Sequence, residues 1–300
     1  MLTFFKFVIK LVYEQIFLKG ADVVIEKNGQ KCYYFTDIEN AKFRKIILDV
    51  MSRACDADIE TDDGIGTLSE KQMHAAIKKF ICPDETKHEI KIQNSEHYVG
   101  SNETKNRKFV ADVLDGNTIY EIQTGGFAPL KDKLAWILEN TTYNIVLIHP
   151  MPENLYVSYI DEDGKISPRR KSNQSKKLKH IVGELYHIKS FINNPRFTLI
   201  ALMIEADQYR KRNTQKKRAR TKKYETIPSS LIRAHIFSCA DDYKTFLPDS
   251  LEGEFTVKQF SKSSGILGID AYSIVKLLSE LGHIEECGNI GRAKAYRKRD

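Results

Sequence analysis

Two apolar segments joined by a short turn, RKFVADVLD-GN-TIYEIQT, constrain the fold of this chain more than any other feature. Side chains alternate between the two faces of a strand, and a two-residue loop at Gly116-Asn117 sets Asp112 directly opposite Glu121. A loop one residue earlier shifts the pairing, yet both registers keep Asp112, Glu121 and Gln123 on one face. The hairpin therefore predicts a shared polar face for these three side chains.

Opposed carboxylates on neighbouring strands repel each other and destabilise a hairpin. A divalent cation that prefers oxygen ligands, Mg²⁺ or Mn²⁺, turns this repulsion into binding. The alternative is an ordinary solvent-exposed face, on which acids are common. By alternation Val110, Leu114 and Ile119 lie on the same face, so the acids would have apolar neighbours. The hairpin alone leaves both interpretations open.

The segments around the hairpin have a regular order. A helix is expected from Leu68-Ser69-Glu70 to about Ile81, followed by the short strand HEIKI. After the two hairpin strands come a helix in PLKDKLAWILEN and a buried strand in TYNIVLIHP. LYVSYIDEDGKISP adds a further hairpin over Asp163-Gly164. The order is therefore helix, three strands, helix, strand, which predicts an α/β domain.

This order, with Asp112 on one strand and Glu121-Ile122-Gln123 on the next, resembles the PD-(D/E)XK nuclease superfamily, whose core is the restriction-endonuclease-like fold. The resemblance extends over about residues 69–150 and implies a mixed sheet. It implies that Asp112 and Glu121 bind the metal. It also implies that Ile122 contributes its backbone carbonyl and that Glu70 on the first helix completes the site. The implied reaction is phosphodiester hydrolysis by a metal-activated water.

The last position departs from the family's pattern, because Gln123 stands where the motif usually has Lys. An Asp...Glu-x-Gln variant occurs in some active restriction enzymes, so Gln123 is compatible with activity. It lacks the charge that is thought to activate the attacking water. Lys131 or Lys133 on the next helix is a candidate to supply that charge, or Gln123 only orients the water. His74, one helical turn after Glu70, is a further candidate, although such a histidine more often has a structural role.

The chain ends in a second recognisable pattern, between about Phe255 and Arg299. A short helix, a turn, a longer helix ending in LLSELGHIEE and the basic hairpin GRAKAYRK follow one another. This pattern resembles the winged helix-turn-helix family, and it implies that the second helix enters the major groove of DNA while the wing meets the backbone or minor groove. A role in protein contact or dimerisation is the alternative. The residues expected to contact DNA are Tyr272, Ser273, Lys276, Arg292 and Lys294.

Positive charge is concentrated in two stretches. Between Glu205 and Tyr224 nine Lys or Arg accompany two acids, and from Lys165 to His180 seven basic residues occur without an acid. Such stretches suit a polyanion because each neutralised phosphate releases counterions. A solvated or flexible loop is the alternative for either stretch alone. The stretch after Glu205 is expected to be an interdomain linker or a positively charged loop.

The cysteines, the N-terminal residues and the absence of nucleotide-binding motifs limit the class of protein and its expected location. Five cysteines, far apart and without zinc spacing, indicate reduced thiols in a cytoplasmic protein. Residues 1–18 are apolar but interrupted by charges, and no small-residue cleavage site follows them. This favours an amphipathic helix packed on the protein over a membrane segment. Neither a P-loop nor a Rossmann glycine pattern occurs.

Together these features predict an α/β protein with three parts. They are a small N-terminal α+β segment (1–60), a restriction-endonuclease-like core with a basic extension (61–225) and a winged helix-turn-helix domain (226–300). The predicted function is Mg²⁺-dependent cleavage of DNA, with a homodimer favoured because double-strand cleavage usually takes two active sites, and without a membrane partner. A DNA-binding regulator with an inactive nuclease fold is the competing hypothesis, which Gln123 keeps open.

Overall fold

The helices and strands come from a computed structural model that describes residues 24–25, 30–57, 68–92, 109–213 and 220–299. For residues 54–57, 68–71, 212, 213 and 220 it describes the main chain only. The described helices are α1 (Asp37–Ala57), α2 (Leu68–Ile81), α3 (Lys131–Asn140), α4 (Val182–Ile188), α5 (Val257–Ser264) and α6 (Gly268–Glu280). The described strands are β1 (Val24–Ile25), β2 (Lys31–Tyr34), β3 (His88–Lys91), β4 (Val110–Asp115), β5 (Thr118–Ile122), β6 (Asn144–Ile160), β7 (Arg170–Lys171), β8 (Phe197–Asn213), β9 (Arg220–Phe237), β10 (Glu254–Thr256), β11 (Ile284–Ile290) and β12 (Ala293–Lys298).

Nine of the described strands form one mixed sheet. Their order is β1-β2-β9-β8-β6-β5-β4-β3, and β7 pairs with the far part of β6. β6 runs parallel to β5 and to β8, and the other neighbours are antiparallel. Parallel strands need a crossover connection, and α3 and α4 lie in the two connections concerned. The predicted α/β class with a mixed sheet is confirmed.

The helices cover both faces of the large sheet. On one face Met73 and Ile77 of α2 pack in a cluster that includes Tyr120 of β5. On the other face Leu134 of α3 packs in a cluster that includes Ile119. Neighbouring residues of β5 thus enter different clusters, as strand alternation requires. Burial on both faces accounts for the nearly continuous apolar sequence of β5 and β6.

The hairpin of β4 and β5 has the first of the two predicted registers. Leu114 pairs with Ile119 and Asp115 with Thr118, so the loop is Gly116-Asn117. Gly116 has a φ of 55°. Residues with a Cβ atom seldom adopt this conformation, and a glycine at the first central position suits a tight hairpin turn. The paired residues end at Val113 and Tyr120, one residue before Asp112 and Glu121.

The three central strands are much longer than the sequence pattern suggests. β6 is one strand of 17 residues that contains both TYNIVLIHP and LYVSYI. The predicted hairpin over Asp163-Gly164 lies at the end of β6, where the chain turns back and pairs antiparallel with β6 through the bridge between Ile160 and Ile166 and through β7. Pro152 lies where the register between β6 and β8 shifts. A proline is tolerated at such an irregularity because the ladder does not need its missing N–H.

The basic stretch after Glu205 was expected to be an interdomain linker or a positively charged loop. Its described residues lie on β8 and β9, which pair antiparallel as far as Asn213 and Arg220, so the linker alternative is wrong for them. The ammonium group of Lys211 lies 4.1 Å from the ring centroid of Tyr224. We call the described residues 205–213 and 220–225 the basic arm. Strand pairing gives the charges of this arm a fixed spacing that a linker would lack.

The predicted division into three parts differs from the observed sheets. β9 runs through the expected boundary between residues 225 and 226, and β2 of the N-terminal segment pairs with β9. The described N-terminal residues and the core therefore share one sheet. A second sheet, ordered β10-β12-β11, forms with α5 and α6 after residue 253. Its Phe255, Phe260 and Ile274 belong to the same apolar cluster as Ile119 and Leu134.

Two remaining predictions concern the N-terminus and the cysteines. The amphipathic helix predicted for residues 1–18 lies outside the described residues. In the described part of the chain, no helix has the length and hydropathy needed to cross a bilayer. The cysteines whose side chains are described, Cys32, Cys82, Cys239 and Cys287, are not in disulfide bonds.

Candidate active site

Asp112 of β4 is a largely buried carboxylate with strong hydrogen bonds. Its Oδ2 accepts the backbone N–H of Ile122 at 2.8 Å and lies 3.0 Å from Nε2 of His74 on α2. Burial raises the pKa of Asp112, but the hydrogen bond and charge of His74 and the N–H of Ile122 outweigh burial. The pKa of Asp112 is therefore below its usual value. At neutral pH Asp112 is ionised.

Glu121 of β5 is the more deeply buried acid, with a side chain only 3% exposed. Its Oε2 accepts a hydrogen bond from Nζ of Lys133 on α3 at 2.5 Å. Its Oε1 is buried and has no hydrogen-bond partner among the described residues. Burial and then the negative charge of Asp112 raise the pKa of Glu121 to about 7, although Lys133 opposes both effects. Glu121 therefore exchanges a proton near neutral pH.

The two acids interact with each other but are approached from different helices. α2 brings His74 to Asp112, and α3 brings Lys133 to Glu121. α2 and α3 pack on opposite faces of the sheet. The acids are thus close enough for the charge of Asp112 to raise the pKa of Glu121, while each has its own cationic or hydrogen-bonding partner.

Lys133 is one of the two lysines of α3 that the sequence offers as a source of positive charge at the site. It contacts Glu121, and its Nζ also donates to the carbonyl of Val110 at 2.6 Å. Its side chain is 16% exposed. Lys131, the other lysine considered from the sequence, lies two residues earlier and is exposed. Of the two candidates, the structure brings Lys133 to the acid pair.

Gln123 is held within the turn that follows β5. Its N–H donates to the carbonyl of Ile148 at 2.9 Å, and its carbonyl accepts from Nδ1 of His149 at 2.6 Å. Its side-chain amide donates to the carbonyl of Gly126 at 2.6 Å. Burial lowers the pKa of His149, so this imidazole is neutral at pH 7. The amide of Gln123 thus stabilises the turn in this conformation and is not directed at the carboxylates by any of these bonds.

Glu184 of α4 is a neighbour of the site that the sequence did not indicate. Its Oε2 accepts the N–H of Phe127 at 2.7 Å. A Cβ atom added to Gly126 would lie 3.1 Å from the same oxygen, so only a residue without a side chain fits there easily. Gly126 therefore allows a protein carboxylate to approach the turn. No local sequence pattern connects Glu184 with this turn, since the two lie far apart in the chain.

Glu70 and Ile122 are the other two residues that the sequence analysis assigned to the metal site. Glu70 lies in the first turn of α2, and its side chain is outside the described part of the chain. Ile122 is buried at the end of β5, with its N–H bound to Asp112. Within the described residues, no three or more His, Cys, Asp or Glu side chains cluster as a metal site.

The residues expected to contact DNA are on α6 and on the β11–β12 hairpin. Tyr272 is 63% exposed, and Lys276 is also exposed. Ser273 is half-buried and lies beside α4. Arg292 lies exposed in the turn between β11 and β12. Lys294 is exposed but forms an ion pair with Glu286 at 2.9 Å.

Comparison with known proteins assigns the central part of the chain to one family. Residues 71–238, more than half of the chain, match a family described as "Domain of unknown function (DUF8091)". The chain belongs to the DUF8091 family. A relative from Treponema pallidum (strain Nichols), described as "Uncharacterized protein", is 23% identical over 239 residues, which cover 78% of this chain and 87% of the relative. No solved structure matches the chain.

The DUF8091 segment contains the candidate site. His74, Asp112, Glu121 and Lys133 all lie within residues 71–238. The segment ends one residue after β9 and leaves out α5, α6 and the second sheet. The acid pair therefore belongs to the part of the chain that defines the family, and the expected DNA-contact residues lie outside it.

Proposed function

We propose that this protein is a metal-dependent DNA endonuclease that hydrolyses phosphodiester bonds, guided by a C-terminal winged-helix domain. The acid pair carries the proposal. Asp112 is ionised, and beside it Glu121 is buried with a pKa of about 7 and an Oε1 that lacks a hydrogen-bond partner among the described residues. Burying a carboxylate with an unsatisfied oxygen costs stability. Titratable groups perturbed in this way are concentrated at functional sites.

The donor atoms of the pair fit a hard divalent cation, Mg²⁺ or Mn²⁺. Glu121 Oε1 is without a partner in the described region, and the hydrogen bonds that Asp112 accepts there all fall on its Oδ2. Each acid thus has an oxygen available for a metal, and oxygen is the ligand that these ions prefer. The carbonyl of Ile122 and the carboxylate of Glu70 are the further ligands that the resemblance implies. When bound, the cation would lower the pKa of a water molecule and neutralise charge on the phosphate.

The protein's own residues divide the remaining work. His74 keeps Asp112 ionised, so that this acid is ready to bind a cation at neutral pH. Lys133 offsets the cost of ionising Glu121 and brings a positive charge to the site, where it can stabilise a phosphate. Gln123 and Glu184 hold the turn between β5 and α3. In this account Lys133 replaces the lysine of the motif, and Gln123 is a positioning residue.

The order of elements supports a restriction-endonuclease-like core. α2, β3, β4, β5, α3 and β6 follow one another as helix, three strands, helix and strand. Asp112 and Glu121 lie on the second and third of these strands. In the C-terminal part, α5, α6 and the β11–β12 hairpin follow one another as two helices and a two-stranded wing, which supports the winged-helix assignment.

Exposed positive charge supports DNA as the substrate. The basic arm carries Lys211, Lys222 and Lys223 on paired strands. Tyr272, Lys276 and Arg292 are exposed on the C-terminal part. Charges in fixed positions favour contact with a regularly spaced phosphate backbone.

A DNA-binding regulator with an inactive nuclease fold is the second candidate. The observation that favours this candidate is that the polar side chains of the site already form hydrogen bonds with one another or with the backbone. Lys133 binds Glu121, His74 and Ile122 bind Asp112, and the amide of Gln123 binds the carbonyl of Gly126. A scaffold in which these bonds are permanent would bind DNA without cutting it.

Cleavage of plasmid and linear DNA in Mg²⁺ or Mn²⁺ tests the proposal. We expect cleavage by the wild type and a loss of at least about a hundredfold in Asp112→Asn and in Glu121→Gln, because each variant removes a charge that would hold the cation. Asp115→Asn is the matched control. This acid lies on the same strand but pairs with Lys87 at 2.6 Å, so cleavage should persist.

The outcomes separate the two candidates. Cleavage that is absent in the wild type, or that continues unchanged in both Asp112→Asn and Glu121→Gln, contradicts an endonuclease at this site. DNA binding that persists without any cleavage, in both metals, supports the regulator. Deletion of residues 255–300 should weaken binding in either case, so it is not the deciding measurement.

A further inference from the structure

A cleft lies near the end of β5, and neither Asp112 nor Glu121 is among its lining residues. This cleft has a volume of about 520 Å³ and includes Met73, Thr124 and Pro150 in its lining. Met73 and Thr124 directly adjoin His74 and Gln123 in the sequence. The volume falls within the range of roughly 300–1,000 Å³ that is usual for small-molecule sites. The cleft is thus large enough to hold a ligand next to the candidate active site.

The cleft exists because β6 continues where β5 ends. β5 stops at Ile122, and the free edge of β6 beyond it is covered by the loop of residues 172–176. In this loop Ser172 N–H donates to Leu155 O at 2.8 Å, and Lys176 N–H donates to Pro152 O at 2.7 Å. The cleft lies beyond the carboxyl end of β5. In sheets with parallel strands, ligand-binding sites are frequently found at this end of the strands.

Arg210 fixes the loop against the sheet. Its Nη2 donates to Oε1 of Gln174 in the loop at 2.6 Å, and its Nε donates to Oε1 of Gln208 on β8 at 2.6 Å. One guanidinium group therefore bridges the loop and the strand that together line the cleft. The walls are held by backbone and side-chain hydrogen bonds, so the space does not depend on an unanchored loop.

The charge of the lining is positive. Lys176 and Lys223 line the cleft, and both side chains are exposed. Neither ammonium group lies within ion-pair distance of a carboxylate in the described part of the chain, and no described Asp or Glu lines the cleft. Unpaired cations around a concave surface favour an anionic ligand.

The neutral lining has two further kinds of group. Gln208 and Thr226 are buried polar residues on paired strands, and Asn173 and Ser175 provide an amide and a hydroxyl from the loop. Met73, Pro150 and Leu155 provide apolar contact. A phosphate matches the cations of the lining. Sugar hydroxyls and base edges match its amides and hydroxyls, and the flat face of a base matches its apolar surface.

We propose that the cleft binds a nucleoside monophosphate unit, with the phosphate held by Lys176 and Lys223. The unit has two sources, a free nucleotide or an unpaired nucleotide of a strand, and the same chemistry recognises both. The proposal goes beyond DNA cleavage, because binding in the cleft needs neither the acid pair nor a metal.

Calorimetric titration of the full chain in EDTA tests this site. The probes are 5′-dAMP, deoxyadenosine, inorganic phosphate and a single-stranded oligodeoxyadenylate. We expect 5′-dAMP to bind at least about tenfold more tightly than phosphate or deoxyadenosine, since it uses both kinds of contact. The double variant Lys176→Gln/Lys223→Gln should weaken 5′-dAMP binding by about tenfold or more. Lys177→Gln/Lys222→Gln is the matched control, because it removes two neighbouring charges outside the lining.

The outcomes decide both the site and the source of the ligand. Absence of 5′-dAMP binding at millimolar concentration, binding no tighter than that of phosphate, or an equal loss in the two double variants overturns the proposal. Given cleft-dependent binding, displacement of 5′-dAMP by the oligodeoxyadenylate identifies a strand as the source, and lack of displacement identifies a free nucleotide. Asp112→Asn should leave 5′-dAMP affinity unchanged, so a failure of the cleavage proposal is distinguishable from a failure of this one.

Discussion

Two hairpins of this molecule carry neighbouring charged residues and treat them in opposite ways. In the β4–β5 hairpin two like charges, Asp112 and Glu121, are close enough for the charge of Asp112 to raise the pKa of Glu121, and their side chains are 18% and 3% exposed. In the β11–β12 hairpin Glu285 pairs with Arg297 across the strands, and both side chains reach solvent. The first arrangement costs folding free energy, because like charges repel strongly in a site of low dielectric constant. The second changes the folding free energy little, because opposite charges attract only weakly in water.

The two hairpins differ in whether the fold supplies hydrogen-bond partners for the acid. Glu285 accepts bonds from Arg297 at 2.6 Å and from Arg299 at 3.0 Å, and these bonds lower its pKa. Glu121 has a raised pKa and an oxygen without a partner among the described residues. A partly exposed acid with two arginine partners is satisfied by the fold itself. A buried acid with an unsatisfied oxygen is a candidate for a role in binding or catalysis, which is the role we propose for Glu121.

The largest effect on stability is expected at Lys133. Lys133→Met leaves Glu121 buried without its cation, and breaking a buried pair in this way costs about 3 kcal/mol or more at about pH 8. Near pH 5 the loss should be smaller, because Glu121 is then protonated. Urea unfolding at both pH values measures the effect. Lys131→Met, on the exposed side of the same helix, is the control and should change little. An equal loss in the two variants would show that Lys133 is not paired as described.

The next effect is the pH dependence that Glu121 confers. The pKa of Glu121 is about 7 in the folded protein, against an ordinary value of 4.5. The folded state therefore holds the proton more tightly, so this group's contribution to stability is complete below pH 4.5 and is lost as the pH rises through about 7. The total loss is on the order of 3 kcal/mol.

Glu121→Gln should remove this dependence because glutamine does not titrate. The free energy of unfolding of the wild type, measured relative to that of Glu121→Gln, should fall by about 2–3 kcal/mol between about pH 5 and about pH 8. Asp115→Asn serves as a control with an acid that is only partly buried. A difference between wild type and Glu121→Gln that does not vary with pH would mean that Glu121 has an ordinary pKa.

A smaller effect concerns DNA binding by the second hairpin. Arg292 is exposed in its turn, whereas Lys294 already pairs with Glu286. Arg292→Gln should reduce the slope of log affinity against log salt by about 1, as the loss of one phosphate contact does. Lys294→Gln should have less effect, since its charge is already partly neutralised. Salt-dependent fluorescence anisotropy with duplex DNA measures both slopes. Equal slopes in wild type and Arg292→Gln would remove this wing from the interface.

The smallest effect is expected at the satisfied acid of the second hairpin. Glu285→Gln removes one exposed partner of Arg297 and Arg299. The urea midpoint should move only slightly, and the change should shrink further in high salt because exposed charges are screened. A shift as large as that of Lys133→Met would contradict the contrast between the two hairpins.

Local patterns in the sequence were sufficient to predict the hairpin that carries the acids. The turn residues and the alternation of apolar side chains act over a few residues and predict the two strands, while two registers fit them equally. The structure has the register that pairs Leu114 with Ile119. The order of helices and strands from α2 to β6 follows from the same kind of local periodicity. His74 was considered because it lies one helical turn after Glu70, and Lys133 because it lies, like Lys131, on the helix that follows the hairpin.

Contacts between distant segments were beyond the reach of such patterns. β2 pairs with β9 although about two hundred residues separate them, as shown by Lys31 opposite Ile236. The prolines of β6 and the dense charge of the basic arm disfavour strands locally, yet pairing with neighbouring strands prevails there. Glu184 contacts a residue 57 positions away and Arg210 one 36 positions away, so neither the turn contact nor the cleft had a signal in the local sequence.

Direct titration with Mn²⁺ tests whether the buried acids exist to hold a metal. The wild type should bind Mn²⁺, and more tightly at about pH 8 than at about pH 6, because Glu121 must release its proton. Asp112→Asn should abolish binding, and Asp115→Asn should retain it. Absence of Mn²⁺ binding in the wild type, or unchanged affinity in Asp112→Asn, would contradict a metal site at the acid pair.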